Sequence, residues 1–248
     1  MRTPGKLYVG TSGFSYPSWV GDFYPPGTRS GELLTAYAQR LNAVELNNTF
    51  YQFPTEAKVT AWRSATPEGF RFTAKAQQRV THWARLADRV QTRRLADAMR
   101  LFGDRLGATV VRVPDTFERD DAKLAAFLDA WPSDLPAAFD LRHPTWLDDE
   151  VLDRIRQHGN AAWVATDRDE LPEPARVFLT APFLYARLRR TEYDDDALRG
   201  WVERLAPFLD DGRDVFVFFR HTDEPTGALR ALRFRELAER LVPAGSRA

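Results

Sequence analysis

Cysteine is absent from the 248 residues, which excludes disulfides and every metal site built on thiolates. Histidine is scarce: His82, His143, His158 and His221 are the whole set, and neither H-x-x-x-H nor H-E-x-x-H occurs. That spacing speaks against a multi-zinc centre. Net charge is missing too, with Lys+Arg and Asp+Glu at 35 each, so attraction for an anion must come from a local patch. Lysine is rare within that count, only Lys6, Lys58, Lys75 and Lys123 against a large excess of arginine. No apolar run is long enough to span a bilayer, and MRTPGKLYVG lacks the charged-then-apolar layout of a secretory signal. The expectation is a cytoplasmic chain with no membrane partner. A dinucleotide fingerprint is also lacking: no G-x-G-x-x-G follows the first strand, and GTSG has the wrong spacing.

What is present is a rhythm of short β-rich runs, each followed by a segment with helical periodicity. The runs are KLYVGTS, AVELNNT, FRFTAKA, ATVVRVP, AAFDLRH, AAWVATD, FLYARLR and DVFVFFRH. Seven are followed by clear helical patterns, among them a long stretch from His82 to Phe102, and the run ending at Asp167 by a Pro-rich loop with at most a weak helix. Parallel strands need crossover helices, so this alternation predicts an α/β fold, a single (β/α)8 TIM barrel over residues 1–248. A doubly wound open sheet is the competing arrangement.

In such a barrel the loops after the strands build the active site. The strand ends carry Ser12, Glu45, Asn47, Lys75, Arg112, Asp115, Asp140, Arg142, His143, Asp167, Arg187, Arg189, Arg220 and His221. Charges gathered at one end of a barrel cost several kcal/mol each unless paired, so they either pair among themselves or serve a ligand. Aromatics collect on the same rim: Phe14, Tyr16, Trp19, Tyr51, Trp83 and Trp146 among them. Aromatic faces beside cations suit a planar or sugar-like ligand with negative charge. The loop behind the first strand, YVGTSGFSYPSWVGDFYPPGT, is too long and too rich in aromatics for a plain connection, which makes Phe14 and Trp19 candidates for a wall or lid.

Five ordered motifs resemble those of the DUF72, or YecE-like, family: GTSGFSYPSWVGDFYP, VELNNTFYQFP, FRFTAKAQQRVTH, FDLRHPTW and the Arg187 of YARLR. The resemblance spans nearly the whole chain. It implies a TIM barrel and leaves the activity open, with a distant relation to sugar-isomerase barrels whose relatives include metal-dependent nucleases. Two departures stand out. Asp140 occupies a position where the family usually has Glu, one methylene longer, and Arg220 and His221 replace an Asn-Asn pair after the last strand, with Arg230 at a later Asn position.

The chemistry expected from these residues is hydrolysis of a phosphorylated or phosphodiester substrate, with a sugar isomerase or epimerase and a non-catalytic binder of an anionic metabolite as alternatives. Glu45, Lys75, Asp140 and Asp167 are the candidate catalytic residues. Glu45, Asp140, His143 and Asp167 could hold a hard cation such as Mg²⁺ or Mn²⁺. Phe14, Trp19, Asn47, Tyr51, Arg142, Trp146, Arg187, Arg220 and His221 are the candidate binding residues, arginine forks matching phosphate or carboxylate. Lys75 is expected as an ion-pair partner ahead of a Schiff-base amine, and Asp140 as needed for turnover but dispensable for folding. The arginine-rich segment Arg79 to Arg94 could approach a nucleic-acid backbone.

Overall fold

The eight β-rich runs form eight parallel strands in a computed structural model of the chain, whose residues 3–241 are described here. They are β1 (Leu7–Thr11), β2 (Ala43–Leu46), β3 (Arg71–Lys75), β4 (Leu106–Arg112), β5 (Ala137–Asp140), β6 (Ala161–Asp167), β7 (Phe183–Leu188) and β8 (Asp214–Phe219). The hydrogen-bonded order β1-β8-β7-β6-β5-β4-β3-β2 brings the first two strands together at the seam. A Ser12–Glu45 bridge joins them. Side chains stitch the rest of the seam: Val9 N donates to Asn42 Oδ1 at 2.8 Å, and the Tyr37 hydroxyl accepts from Thr11 N and donates to Ala43 O. Gly10 is required here, because a Cβ would lie 1.9 Å from Ala43 O. The result is the (β/α)8 barrel that the alternation predicts.

Both faces of the strands are buried, as parallel sheets require. Side chains of one parity fill the interior, including Tyr8, Ala138, Val164, Tyr185, Phe216 and Phe218, with Tyr8 and Phe216 stacked at 4.8 Å. The other parity, such as Val44, Phe72, Val111, Phe139 and Trp163, packs against the outer helices. These are α1 (Leu33–Ala38), α2 (Glu56–Ser64), α3 (Arg89–Arg100), α4 (Asp121–Ala130), α5 (Asp149–Gln157), α6 (Asp195–Asp210) and α7 (Thr226–Leu241). No helix is described between β6 and β7, where prolines Pro172, Pro174 and Pro182 interrupt the chain. None of the helices described is long and apolar enough to cross a membrane.

One element differs from the sequence pattern. The stretch read as a single helix from His82 splits into a π-helical turn, Arg79–Trp83, and α3. Arg85 and Leu86 adopt positive φ (47° and 71°) between them, which no continuous helix tolerates. Asp88 then restarts the helix by accepting from Val90 N and Gln91 N.

Candidate functional site

Inward-facing positions near the C-terminal ends of β2, β5 and β7 place Glu45, Asp140 and Arg187 together. Arg187 is 0% exposed, and its two terminal nitrogens donate to Asp140 Oδ2 at 2.5 Å and to Glu45 Oε1 at 2.6 Å. Every oxygen of the two carboxylates has a donor. Glu45 Oε2 accepts from the Tyr185 hydroxyl at 2.9 Å. Arg142 grips Asp140 through two nitrogens, Nε to Oδ1 at 2.9 Å and Nη2 to Oδ2 at 3.0 Å, and Thr166 Oγ1 adds a bond to Oδ1 at 2.8 Å. Burial works against charge on both acids. The guanidinium groups prevail: Glu45 is held at about 2, with Lys75 and Arg189 helping Arg187, and Asp140 falls well below the usual carboxylate range under Arg142 and Arg187.

Beside this ion-paired cluster opens a cleft of ≈ 560 Å³. Tyr16, Asn47, Tyr51, Lys75, Arg112 and His221 line it, with Phe50, His82 and Trp83. The first loop supplies Tyr16. Trp19 stacks behind Tyr16 at 4.7 Å and anchors the loop by donating from Nε1 to Thr222 O, while Tyr16 stacks on His221 at 5.4 Å. The π-helical turn supplies His82 and Trp83, a geometry that recurs at functional sites. Trp83 and Tyr51 are 63% and 69% exposed, the most exposed large apolar residues described, and both stand at this cleft.

The polar groups around the cleft are unusually short of partners. Asn47 donates from Nδ2 to Ser12 O at 2.8 Å, but its Oδ1 is buried with no partner, as are Arg112 Nε, His221 Nδ1 and Arg187 Nε. Buried polar atoms of this kind are completed by water or by a ligand, and Gln77, Thr109, His158 and Arg204 carry others outside the cleft. Lys75 makes no hydrogen bond or ion pair to any described side chain; its ammonium faces the Phe50 ring at 5.8 Å. Burial pushes Lys75 down to about 8, Glu45 opposes this, and Arg187, Arg189 and Arg112 add to it. His221 is pushed to about 4, by burial first and then by Arg189 and Lys75, so it is neutral at neutral pH. Arg189, whose Nη1 donates to Ser12 Oγ at 3.1 Å, is lowered by burial and by Arg187.

Several predicted site residues lie elsewhere. Asp167 has the outward parity on β6, where Arg190, Tyr193, Trp201 and Ala175 N all donate to it; Thr166, one residue earlier, is the one that reaches Asp140. His143 is tied to Thr145 at 2.9 Å in the loop after β5. Glu45, Asp140, His143 and Asp167 therefore do not converge, and no group of three or more His, Asp or Glu suited to a metal occurs among the described residues. Trp146 is buried and donates to Phe117 O at 2.6 Å, a packing role. Phe14 packs beside Tyr37 at 6.2 Å, outside the cleft lining. Arg142 turns toward a neighbouring groove that Arg168, Leu171 and Phe178 also line. Arg220 is exposed and lines a separate small cleft with Arg190 and Arg230. The cleft residues that strand-end reasoning left out of the binding set are Phe50, His82, Trp83, Tyr16 and Arg112. For Arg112 the available signal was period two: it ends β4 in register with Asp140 on β5.

The family model "Protein of unknown function DUF72" matches residues 8–246. The chain belongs to the DUF72 family. UPF0759 protein YecE of Escherichia coli K12 is 32% identical over 162 residues, an alignment that takes in 62% of this chain and 56% of YecE. YunF of Bacillus subtilis is 21% identical, with 94% of this chain and 95% of YunF covered. Among solved structures, a DUF72 protein of Thermotoga maritima superposes with a TM-score of 0.77 at 25% identity, over 94% of this chain and 99% of that one. The Thermotoga protein shares the barrel.

Proposed function

We propose that this DUF72 barrel binds a small hydroxylated organic anion, a phosphate ester or carboxylate, in the cleft between Tyr16, Tyr51, Trp83 and Lys75. The observation that carries the reading is the polar lining of one cleft: Lys75, which makes no hydrogen bond or ion pair to a described side chain, and Arg112, whose Nε is unpartnered while its Nη2 donates to Asp115 at 3.2 Å, for an anionic group, and the unpartnered Asn47 Oδ1 for a hydroxyl. Lys75 and Arg112 line the cleft and no carboxylate does; Asp115 pairs with Arg112 from outside the lining, and Glu45 and Asp140 are neutralised by Arg187 and Arg142. A cleft lined by one sign of charge concentrates the opposite ion even when the protein is neutral overall. The exposed rings offer stacking faces to a flat or sugar-like body.

Hydrolysis with a divalent ion draws little support from this arrangement, because the oxygens of Glu45 and Asp140 are taken up by arginine and hydroxyl donors. A polymer is a poorer fit than a small ligand: in the basic segment Arg79 lies over Trp83, Arg85 lies over Phe117 and Arg89 is bonded to Asp129. Calorimetric titration with inorganic phosphate, ribose 5-phosphate and a nucleoside monophosphate tests the reading. Ribose 5-phosphate is expected to bind, and Arg112→Ala to weaken it about tenfold, the loss of one charge-assisted bond. Equal affinity for ribose and ribose 5-phosphate, or no binding of any anion, would overturn it.

A further inference from the structure

Resting on that reading of the cleft, we infer that Lys75 is a nucleophilic amine which captures an anionic carbonyl compound, a 2-oxo acid or a phosphorylated aldehyde or ketone, as a Schiff base. The sequence alone favours Lys75 as an ion-pair partner, and the obvious partner is Glu45. In the structure Glu45 acts on Lys75 only through space, with no direct contact. Glu45 spends Oε1 on Arg187 and Oε2 on Tyr185, leaving Lys75 at the end of β3 with only the Phe50 ring before its ammonium.

A half-buried lysine among cations is costly, and a fold gains nothing from it unless the amine does something. Burial and neighbouring positive charge are two ways in which proteins make an amine nucleophilic near neutral pH; burial acts most strongly here, and Arg187, Arg189 and Arg112 add to it against the opposing pull of the Glu45 carboxylate. The same cations recruit the anionic group of the carbonyl compound, so one set of charges serves recognition and activation. The other lysines differ: Lys58 lies over Trp62 and Lys123 is bonded to Asp120, while Lys6 is exposed.

The chemistry balances without an oxidant or reductant. The neutral Lys75 amine attacks the carbonyl carbon, the N–C bond forms, and the carbonyl π pair moves to oxygen, which takes a proton. The nitrogen gives up a proton, the carbinolamine hydroxyl is protonated and leaves as water, and the nitrogen lone pair closes the C=N⁺ bond. Protons exchange with solvent in the open cleft. His221, neutral and with Nδ1 unpartnered, lines the same space and can carry them.

The test is reductive trapping. The full chain is incubated with glyoxylate, pyruvate, ribose 5-phosphate or propanal in the presence of sodium cyanoborohydride, and the modified peptide is identified by mass. An adduct on Lys75 is expected at least about tenfold faster than on Lys58, its rate climbing with pH toward a plateau near 8 to 9. Lys75→Arg and Lys75→Met are both expected to lose it, with thermal melts confirming that each variant is folded. Labelling spread evenly over Lys6, Lys58, Lys75 and Lys123, or none on Lys75, overturns the inference. The two readings separate cleanly. Anion binding by calorimetry without Lys75 trapping sinks the amine and leaves the anion site standing. Trapping on Lys75 that is as fast with propanal as with glyoxylate sinks the anion site and leaves the amine.

Discussion

Arg187 and Glu45 form an ion pair across the barrel interior, 2.6 Å from Nη2 to Oε1, with both side chains 0% exposed. Because the second arm of Arg187 reaches Asp140, two acids on separate strands depend on one guanidinium. Replacing a buried pair wholesale by apolar groups can be neutral, but removing one partner leaves the other charge desolvated. The hub therefore acts as a structural clasp beside the cleft.

Asp140→Asn is accordingly expected to destabilise the fold by about 3–5 kcal/mol, or on the order of 10 °C in Tm, since buried Arg187 is left with Glu45 alone and Arg142 with only the more distant Asp115 at 3.8 Å. Thermal denaturation followed by circular dichroism checks this. A variant melting with the parent would return Asp140 to the role expected of it from sequence, dispensable for folding.

Acid sensitivity follows from the same pairs. Glu45 is held near 2 from an ordinary value of 4.5, and Asp140 is also lowered. A depressed folded-state value means that the unfolded chain binds protons first as pH falls. The stabilisation is thus complete above about pH 4.5 and is lost between there and about pH 2 for Glu45, with Asp140 titrating lower still. In urea melts from pH 6 to pH 2, Glu45→Gln is expected to start less stable and to lose less than the parent over that window. Parallel curves for the two proteins would contradict the coupling.

How far the sequence reaches depends on which physical rule a feature obeys. The barrel is legible because each β-rich run is short and bounded by helical periodicity, and parallel strands must be joined that way. Lys75 and Asn47 are legible as cleft residues, and Glu45 as part of the cluster beside the cleft, because they lie at strand ends. Asp167 misleads because AAWVATD contains no clear alternation: Trp163, the bulkiest residue, faces the outer helices, so the parity that turns Asp167 outward is set by tertiary packing. Trp19 and Trp146 mislead for a different reason, since an aromatic in a loop after a strand reads the same whether it meets a ligand or packs beneath the residues that do. Trp83 is legible as a rim aromatic, but not its place on a π-helical turn, because no helical pattern reveals the positive φ of Arg85 and Leu86 that ends that turn.

Trp83 offers a clean separation of binding from folding. Its ring is mostly exposed, so Trp83→Ala is expected to change stability by no more than about 0.5 kcal/mol. Loss of one stacking face should weaken an anionic ligand by about threefold to tenfold, from roughly 0.5–1.5 kcal/mol. Tryptophan emission and calorimetry with ribose 5-phosphate measure the two effects. Unchanged affinity would place the ligand's body away from the turn.

Lys75 supplies the opposite signature, a residue whose removal strengthens the fold. Burial, opposed by Glu45 and assisted by three arginines, lowers it from 10.5 to about 8, so between those values the unfolded chain holds a proton that the folded chain has released. Stability of the parent therefore rises with pH across about 8 to 10.5, and below 8 the full cost of the desolvated ammonium is present. Lys75→Met keeps the length and apolar stem of the side chain while deleting the charge. At pH 7 the variant is expected to be more stable by about 1–2 kcal/mol, a figure reduced from the raw shift because solvent reaches the cleft. That advantage should shrink toward zero by pH 10.5, and subtracting the parent's curve cancels other groups that titrate there. Urea denaturation at pH 7 and pH 10 is sufficient. A variant less stable than the parent at pH 7 would mean that Lys75 is held by favourable contacts, and the case for an amine kept for chemistry at the expense of stability would fail with it.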